Sequence, residues 1–231
     1  MPIKNFDDWL LESLNMKPED LLIEYLNYGE NFALIGGAES ERTMKLVINE
    51  LGSRNVLVIT AATAHKEAAK KKYLKIFNRL GCDTDFIDAS NNGEVDTDEN
   101  LMKLKVADTI LFVGGDQSRI TRCYIGTSFL DVMKKKVSEG MALIGTSAGA
   151  MAMSEVMIAG GKKTPIMIKG LSMLPNIIID THFQERDRKS RLKIAVGYTP
   201  DKIGLGISED TAIVFKGKKI LILGKRNIEV I

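Results

Sequence analysis

Residues 141–150 read Met141-Ala142-Leu143-Ile144-Gly145-Thr146-Ser147-Ala148-Gly149-Ala150. An apolar run, Met141–Ile144, enters a turn bracketed by two glycines, and a helix-like stretch, Ala150–Ile158, follows. A short apolar run bounded by turn residues reads as a buried strand. Small residues on either side of Ser147 let the backbone pass closely from strand to helix, the context of a G-x-S-x-G turn that holds a serine hydroxyl outward. The plainer reading is a small-residue turn in which Ser147 caps the helix.

The same alternation extends on both sides. Phe32–Ile35 leads through Gly36-Gly37 to a helical segment from about Glu39 to Leu51. Val56–Thr60 is followed by the Ala- and Lys-rich segment Lys66–Leu80, and Asp85–Asp88 and Thr109–Val113 are further short apolar runs separated by helix-like stretches. Strands alternating with helices at this spacing predict an α/β fold, a mostly parallel central sheet with helices on both faces. Beyond about residue 160 the texture changes, with Gly160-Gly161, Pro165 and Pro175 as punctuation. There Ile177–Ile179 reads as a strand and Arg188–Val196 as a helix, while Ala212–Phe215 and Ile220–Leu223 form a C-terminal hairpin about Gly217. Before all this, Trp9, Leu10, Leu11 and Leu14, then Leu21 to Leu26, recur at helical spacing. Residues 1–30 are therefore expected to be a helical appendage, and 31–231 a single α/β domain.

Composition narrows the functional classes. In 231 residues, 45% hydrophobic and 27% charged, there is ample material for a core, and intrinsic disorder is excluded. Lys plus Arg (32) nearly balances Asp plus Glu (30), so no broad field attracts nucleic acid or an anionic membrane. Cys82 and Cys123 form no CxxC or Cys/His cluster, which argues against a structural zinc or a disulfide framework. No apolar run reaches the ~20 residues that span a bilayer. The acids Asp7 and Asp8 depart from a secretory signal, and the expected compartment is the cytoplasm. Neither a G-x-G-x-x-G fingerprint nor a Walker A motif occurs, so no nucleotide cofactor is expected.

A serine nucleophile needs a base, and the chain has two histidines, His65 and His182, each after a strand. Position alone does not choose between them. The acid that would orient the imidazole could be Glu209, just past a glycine-flanked apolar strand, with Asp180, Glu185 and Asp210 as competitors. Val113-Gly114-Gly115-Asp116-Gln117 is a second glycine turn after a strand, able to offer a backbone N–H to an oxyanion beside that of Ala148. Arg186, Arg188 and Arg191 follow His182 closely. Arg188 and Arg191 can share a helix face, and guanidinium forks suit carboxylates. The alternative is a salt-bridged surface helix with Glu185 and Asp187 as partners.

Taken in order, Ile35-Gly36-Gly37-Ala38-Glu39, Thr60-Ala61-Ala62, Phe112 to Gln117, Gly145 to Ala150, Asp180-Thr181-His182-Phe183 with the three arginines, and Gly204 to Ala212 resemble the cyanophycinase family of S51 serine peptidases, over roughly residues 32–215. The resemblance implies a class I glutamine-amidotransferase-like sandwich, with Ser147 as nucleophile, His182 as base and Glu209 as orienting acid. It further implies Gly115 and Ala148 as oxyanion donors, and Asp116, Gln117, Asp180, Thr181, Arg186, Arg188 and Arg191 as substrate contacts. The family cleaves cyanophycin, a poly-aspartate bearing β-linked arginines, to β-Asp-Arg dipeptides. Its members are usually homodimers and need neither metal nor other cofactor. Where the family commonly has Asp-Gln-His-Phe, this chain has Thr181 in the second place, which removes an amide donor and acceptor from the pocket. The reaction class is thus marked more firmly than the substrate. An aspartyl or isoaspartyl dipeptidase, a related amidase, or a non-catalytic sensor that keeps the pocket are the competing readings.

Overall fold

Successive residues of a strand point to opposite faces, and in a sheet covered on both sides each set must be apolar. In β1 (Asn31–Ile35), Phe32 and Leu34 enter one core cluster, Ala33 and Ile35 the other. The computed structural model describes residues 31–231 apart from Lys218 and Arg226. The helical appendage expected over 1–30 lies outside the described residues.

β2 (Asn55–Ile59), β3 (Asp83–Ile87), β4 (Thr109–Phe112) and β5 (Ala142–Thr146) join β1 in parallel. The hairpin of β10 (Thr211–Lys216) and β11 (Lys219–Gly224) continues the sheet antiparallel beyond β1, giving the order β11-β10-β1-β5-β4-β2-β3. One face is covered by α1 (Glu41–Leu51) and α2 (Lys66–Leu80), through Met44, Val47, Ile48, Tyr73, Ile76 and Phe77. The lysine run of α2 lies on its solvent side. Two short helices, α3 (Asn92–Val95) and α4 (Asp98–Val106), follow β3. The other face receives α5 (Gln117–Tyr124) and α6 (Ser128–Ser138), whose Tyr124 and Phe129 stack edge to face at 5.6 Å. The parallel sheet and its two helical layers are as expected.

The helix expected over Ala150–Ile158 is not formed. After Thr146 the chain makes only α7 (Ala148–Met151), and β6 (Val156–Gly160) then pairs with β7 (Ile166–Lys169) as a separate ribbon. The next strands also leave the main sheet. β8 (Ile177–Thr181) and β9 (Ile203–Ile207), parallel and joined through α8 (Lys189–Gly197), form a second sheet with β12 (Ile228–Val230). Their apolar residues Ile177, Ile179, Leu205 and Ile207 belong to the same cluster as α5 and α6. Among the described residues no helix is long and apolar enough to cross a membrane.

Candidate active site

Ser147 sits where β5 turns into α7, with φ 52° and ψ −116°. A non-glycine residue held at positive φ costs on the order of 1–3 kcal/mol and persists only where its surroundings fix it. Here the glycines of the turn do so. A β-carbon on Gly149 would stand 2.1 Å from the Phe112 carbonyl oxygen, and one on Gly145 2.6 Å from the Ala150 nitrogen, so only hydrogen at both positions permits so tight an elbow.

His182 follows the last residue of β8 and also has positive φ, 48°. Its Nε2 lies 2.8 Å from Ser147 Oγ, and its Nδ1 lies 2.6 Å from Glu209 Oε1. The carboxylate can only accept, so it fixes the proton on Nδ1 and leaves Nε2 to accept from the serine hydroxyl. Glu209 stands two residues past β9, so all three side chains come from the C-terminal ends of parallel strands, one in the large sheet and two in the small one.

The loop after β1 binds these segments together. Ser147 N–H donates to the Ile35 carbonyl, His182 N–H to that of Gly36 and Asp210 N–H to that of Gly37, each at 2.9 Å. Three successive carbonyls thus grip the three chain segments that carry the row of side chains.

The competing candidates are placed elsewhere. His65 is exposed and precedes α2. The Asp210 carboxylate accepts from the Ser40 N–H, and burial, which raises its pKa, is outweighed by its hydrogen bonds so that the net shift is downward. Glu185 accepts from the Glu209 N–H.

Ser147 opens into a cavity of ≈ 250 Å³ whose wall includes Gly115, Asp116, Gln117, Ala148, Thr181 and the three arginines. The expected substrate contact Asp180 is not on that wall. It is fully buried, and its carboxylate is taken by Arg188 Nη1 at 2.9 Å and by Arg191 through Nε at 2.9 Å and Nη2. Asp180 therefore lies beneath the pocket and orients its arginines. The surface helix with Glu185 and Asp187 as arginine partners is likewise replaced by this buried pairing.

Arg191 also donates to the Gly161 carbonyl, and Arg188 to that of Thr181. Burial draws the Arg188 guanidinium below the ordinary arginine value, Asp180 opposes this, and Arg191 and Arg186 add to it. Three guanidiniums against two carboxylates, Asp180 beneath the wall and Asp116 on it, leave a positive surplus; Asp116 also caps α5 through its bond to Ser118 N–H. Gln117 is not a free amide donor, since its Nε2 bonds the Ile158 and Ala159 carbonyls. The Thr181 hydroxyl is buried at the cavity without a hydrogen-bond partner.

Sequence reasoning missed the contribution of β6, whose Ala159 and Gly160 line the cavity. The Gly160-Gly161 pair was legible there only as punctuation.

A serine hydroxyl, an imidazole and a carboxylate in hydrogen-bonded series, at the strand ends of an α/β fold, have the geometry of a serine hydrolase. The sequence model described as peptidase family S51 matches residues 32–223, and the chain belongs to that family. It is a hydrolase, a peptidase. It is 31% identical over 214 residues to a cyanophycinase of Trichormus variabilis, covering 86% of this chain and 72% of that protein. It is 24% identical to a peptidase E of Nostoc sp., over 90% of this chain and 86% of the relative. Among solved structures, a peptidase from an acI-B1 Actinobacterium shares the fold with a TM-score of 0.73 at 23% identity, over 87% of this chain and 90% of that one.

Proposed function

We propose that this peptidase is a cyanophycinase-like serine exopeptidase, which releases β-Asp-Arg dipeptides from a β-aspartyl-arginine polymer. The single observation that carries the reading is the Ser147–His182–Glu209 series opening into an arginine-walled cavity. Ser147 Oγ attacks the scissile carbonyl while His182 Nε2 takes its proton and later returns it to the leaving amine. Glu209 holds the tautomer and stabilises the imidazolium. The Gly115 and Ala148 N–H groups receive the oxyanion, each contributing on the order of 3 kcal/mol to the transition state.

The cavity volume suits a chain end rather than a long stretch of polymer. Its surplus positive charge suits the free α-carboxylates of the β-linked arginines and of the chain end, and bidentate pairing would fix the register of the scissile bond. Asp116 offers a counter-charge for a basic side chain. The similarity to cyanophycinase supports the polymer as substrate, whereas the similarity to peptidase E favours a second reading, a dipeptidase of short aspartyl peptides.

The test is incubation with cyanophycin and with β-Asp-Arg, β-Asp-Lys and α-Asp dipeptides, followed by mass analysis of products. Release of β-Asp-Arg from polymer is the expected result. Hydrolysis of dipeptides with intact polymer would establish the second reading instead.

A further inference from the structure

Glu39 lies in the loop between β1 and α1, just before the N-cap Ser40, and it is a buried carboxylate outside the serine–imidazole–carboxylate series. Its side chain is 2% exposed. One oxygen, Oε1, accepts from Lys72 Nζ at 2.6 Å and Tyr73 Oη at 2.8 Å, both on α2. The other, Oε2, accepts from Thr146 Oγ1 at 2.6 Å. Thr146 is itself buried and is the residue before Ser147.

Burial works against ionisation of Glu39, but the Lys72 charge and the bonds from Lys72 and Thr146 prevail and hold its carboxyl below the usual glutamate range. Burial and the Glu39 charge in turn push the Tyr73 phenol well above its ordinary value, so Tyr73 stays a donor. Glu39 therefore stays an acceptor and Tyr73 a donor through the neutral range. Lys72 and Tyr73 suffice to satisfy one oxygen of a buried carboxylate. The second oxygen reaches across to the last residue of β5, 107 positions away in sequence.

We propose that Glu39 is a positioning residue for the nucleophile, locking the Thr146 side chain and thereby the elbow that aims Ser147 Oγ at His182 Nε2. The proposal rests on the reading of Ser147 as nucleophile. Ser147 is fixed from its N-terminal side by two bonds to one segment, its own N–H to Ile35 and the Thr146 hydroxyl to Glu39. Loss of the second lets the strained turn relax, and a displacement of about 1 Å at a reacting atom can reduce rate by a factor on the order of 100.

The test compares Thr146→Val, Thr146→Ser, Glu39→Leu and Glu39→Gln with wild type. It reads the second-order rate of labelling by a small fluorophosphonate, which needs no peptide subsite, together with kcat and KM on whichever peptide wild type cleaves. Thr146→Val, near in shape but without the donor, is expected to slow labelling roughly 10- to 100-fold and lower kcat while KM holds. Thr146→Ser, which keeps the hydroxyl, is expected to label near the wild-type rate. A folded Thr146→Val labelled as fast as wild type overturns the role. The same criterion applies to Glu39→Leu, which removes the side-chain partner of Thr146, Lys72 and Tyr73 at a similar size, should Thr146→Val fail to fold. Glu39→Gln, whose amide can still donate to Thr146 Oγ1, is expected to label nearer the wild-type rate. Wild type that resists labelling overturns the nucleophile reading and this role with it. Labelled wild type that leaves polymer intact overturns only the proposed substrate.

Discussion

A β-carbon placed on Gly37 would lie 2.5 Å from both Cε1 and Nε2 of His182. The imidazole packs directly on the backbone of the loop after β1, and the carbonyls of Ile35, Gly36 and Gly37 there receive the amides of Ser147, His182 and Asp210. The geometry of the site is therefore set as much by this loop as by the three side chains themselves.

Gly37→Ala follows from that relationship. Residue 37 has φ 98°, which an alanine adopts only with strain, and its methyl would displace the ring from Ser147. The expected outcome is a loss of about 100-fold or more in kcat/KM with about 1 kcal/mol or more of destabilisation. Steady-state kinetics and urea unfolding read the two effects separately.

Asp180→Asn removes the charge that neutralises two arginines. With Asp180 fully buried and Arg191 nearly so, the variant leaves uncompensated guanidinium charge in the interior. A loss of roughly 3–5 kcal/mol is expected, since breaking a buried pair from one side is far costlier than never having formed it. Urea titration followed by circular dichroism measures it.

Stability toward acid depends on Glu39. Its folded-state pKa is lowered, so its ionised form favours the native state above the ordinary value of 4.5, and that contribution disappears as pH falls through the lower folded value. Wild type should lose stability on acidification below that range. Glu39→Gln should be less stable at neutral pH and show a shallower acid slope, by up to about 1.4 kcal/mol per pH unit. Unfolding midpoints collected across the acid range decide this, and identical slopes would contradict it.

Arg186 lines the cavity and is exposed, whereas Arg188 and Arg191 are engaged with Asp180. Arg186→Ala is expected to raise KM for a carboxylate-bearing peptide roughly tenfold, with a smaller change in kcat, and to leave stability nearly unchanged. Initial rates over a range of substrate concentration provide the check.

Much of this architecture was legible in the order of residues. The run ending at Ile144 and its two glycines mark the elbow, because no bulkier residue fits against Phe112 and Ala150. Lys66–Leu80 is a helix with the expected bounds, since Tyr73, Ile76 and Phe77 share one face of a stretch rich in helix formers.

Ala150 to Ile158 does not form the expected helix: it is apolar but for Ser154 and Glu155, and periodicity cannot separate a short buried strand from a helix over so short a run. Nor could it show that β8 and β9 leave the main sheet, for the apolar residues Ile177–Ile179, Leu205 and Ile207 resemble those of β4 and β5. The resemblance implies Asp180 as a substrate contact, and nothing in the sequence marks it as buried. The positive φ at His182 turns the chain, and the acid instead meets the arginines near α8. The bond from Thr146 to Glu39 joins residues from opposite parts of the chain, and no local pattern records it.

The central claim is that the Ser147 hydroxyl is made nucleophilic by His182. Its most direct measurement is the intact mass of the protein after exposure to a fluorophosphonate, with peptide mapping of the adduct, for wild type, Ser147→Ala, His182→Ala and His65→Ala. One adduct on Ser147 is expected in wild type and in His65→Ala, none in Ser147→Ala, and labelling slowed by orders of magnitude in His182→Ala. An adduct on another residue, or His182→Ala labelled as readily as wild type, would contradict it.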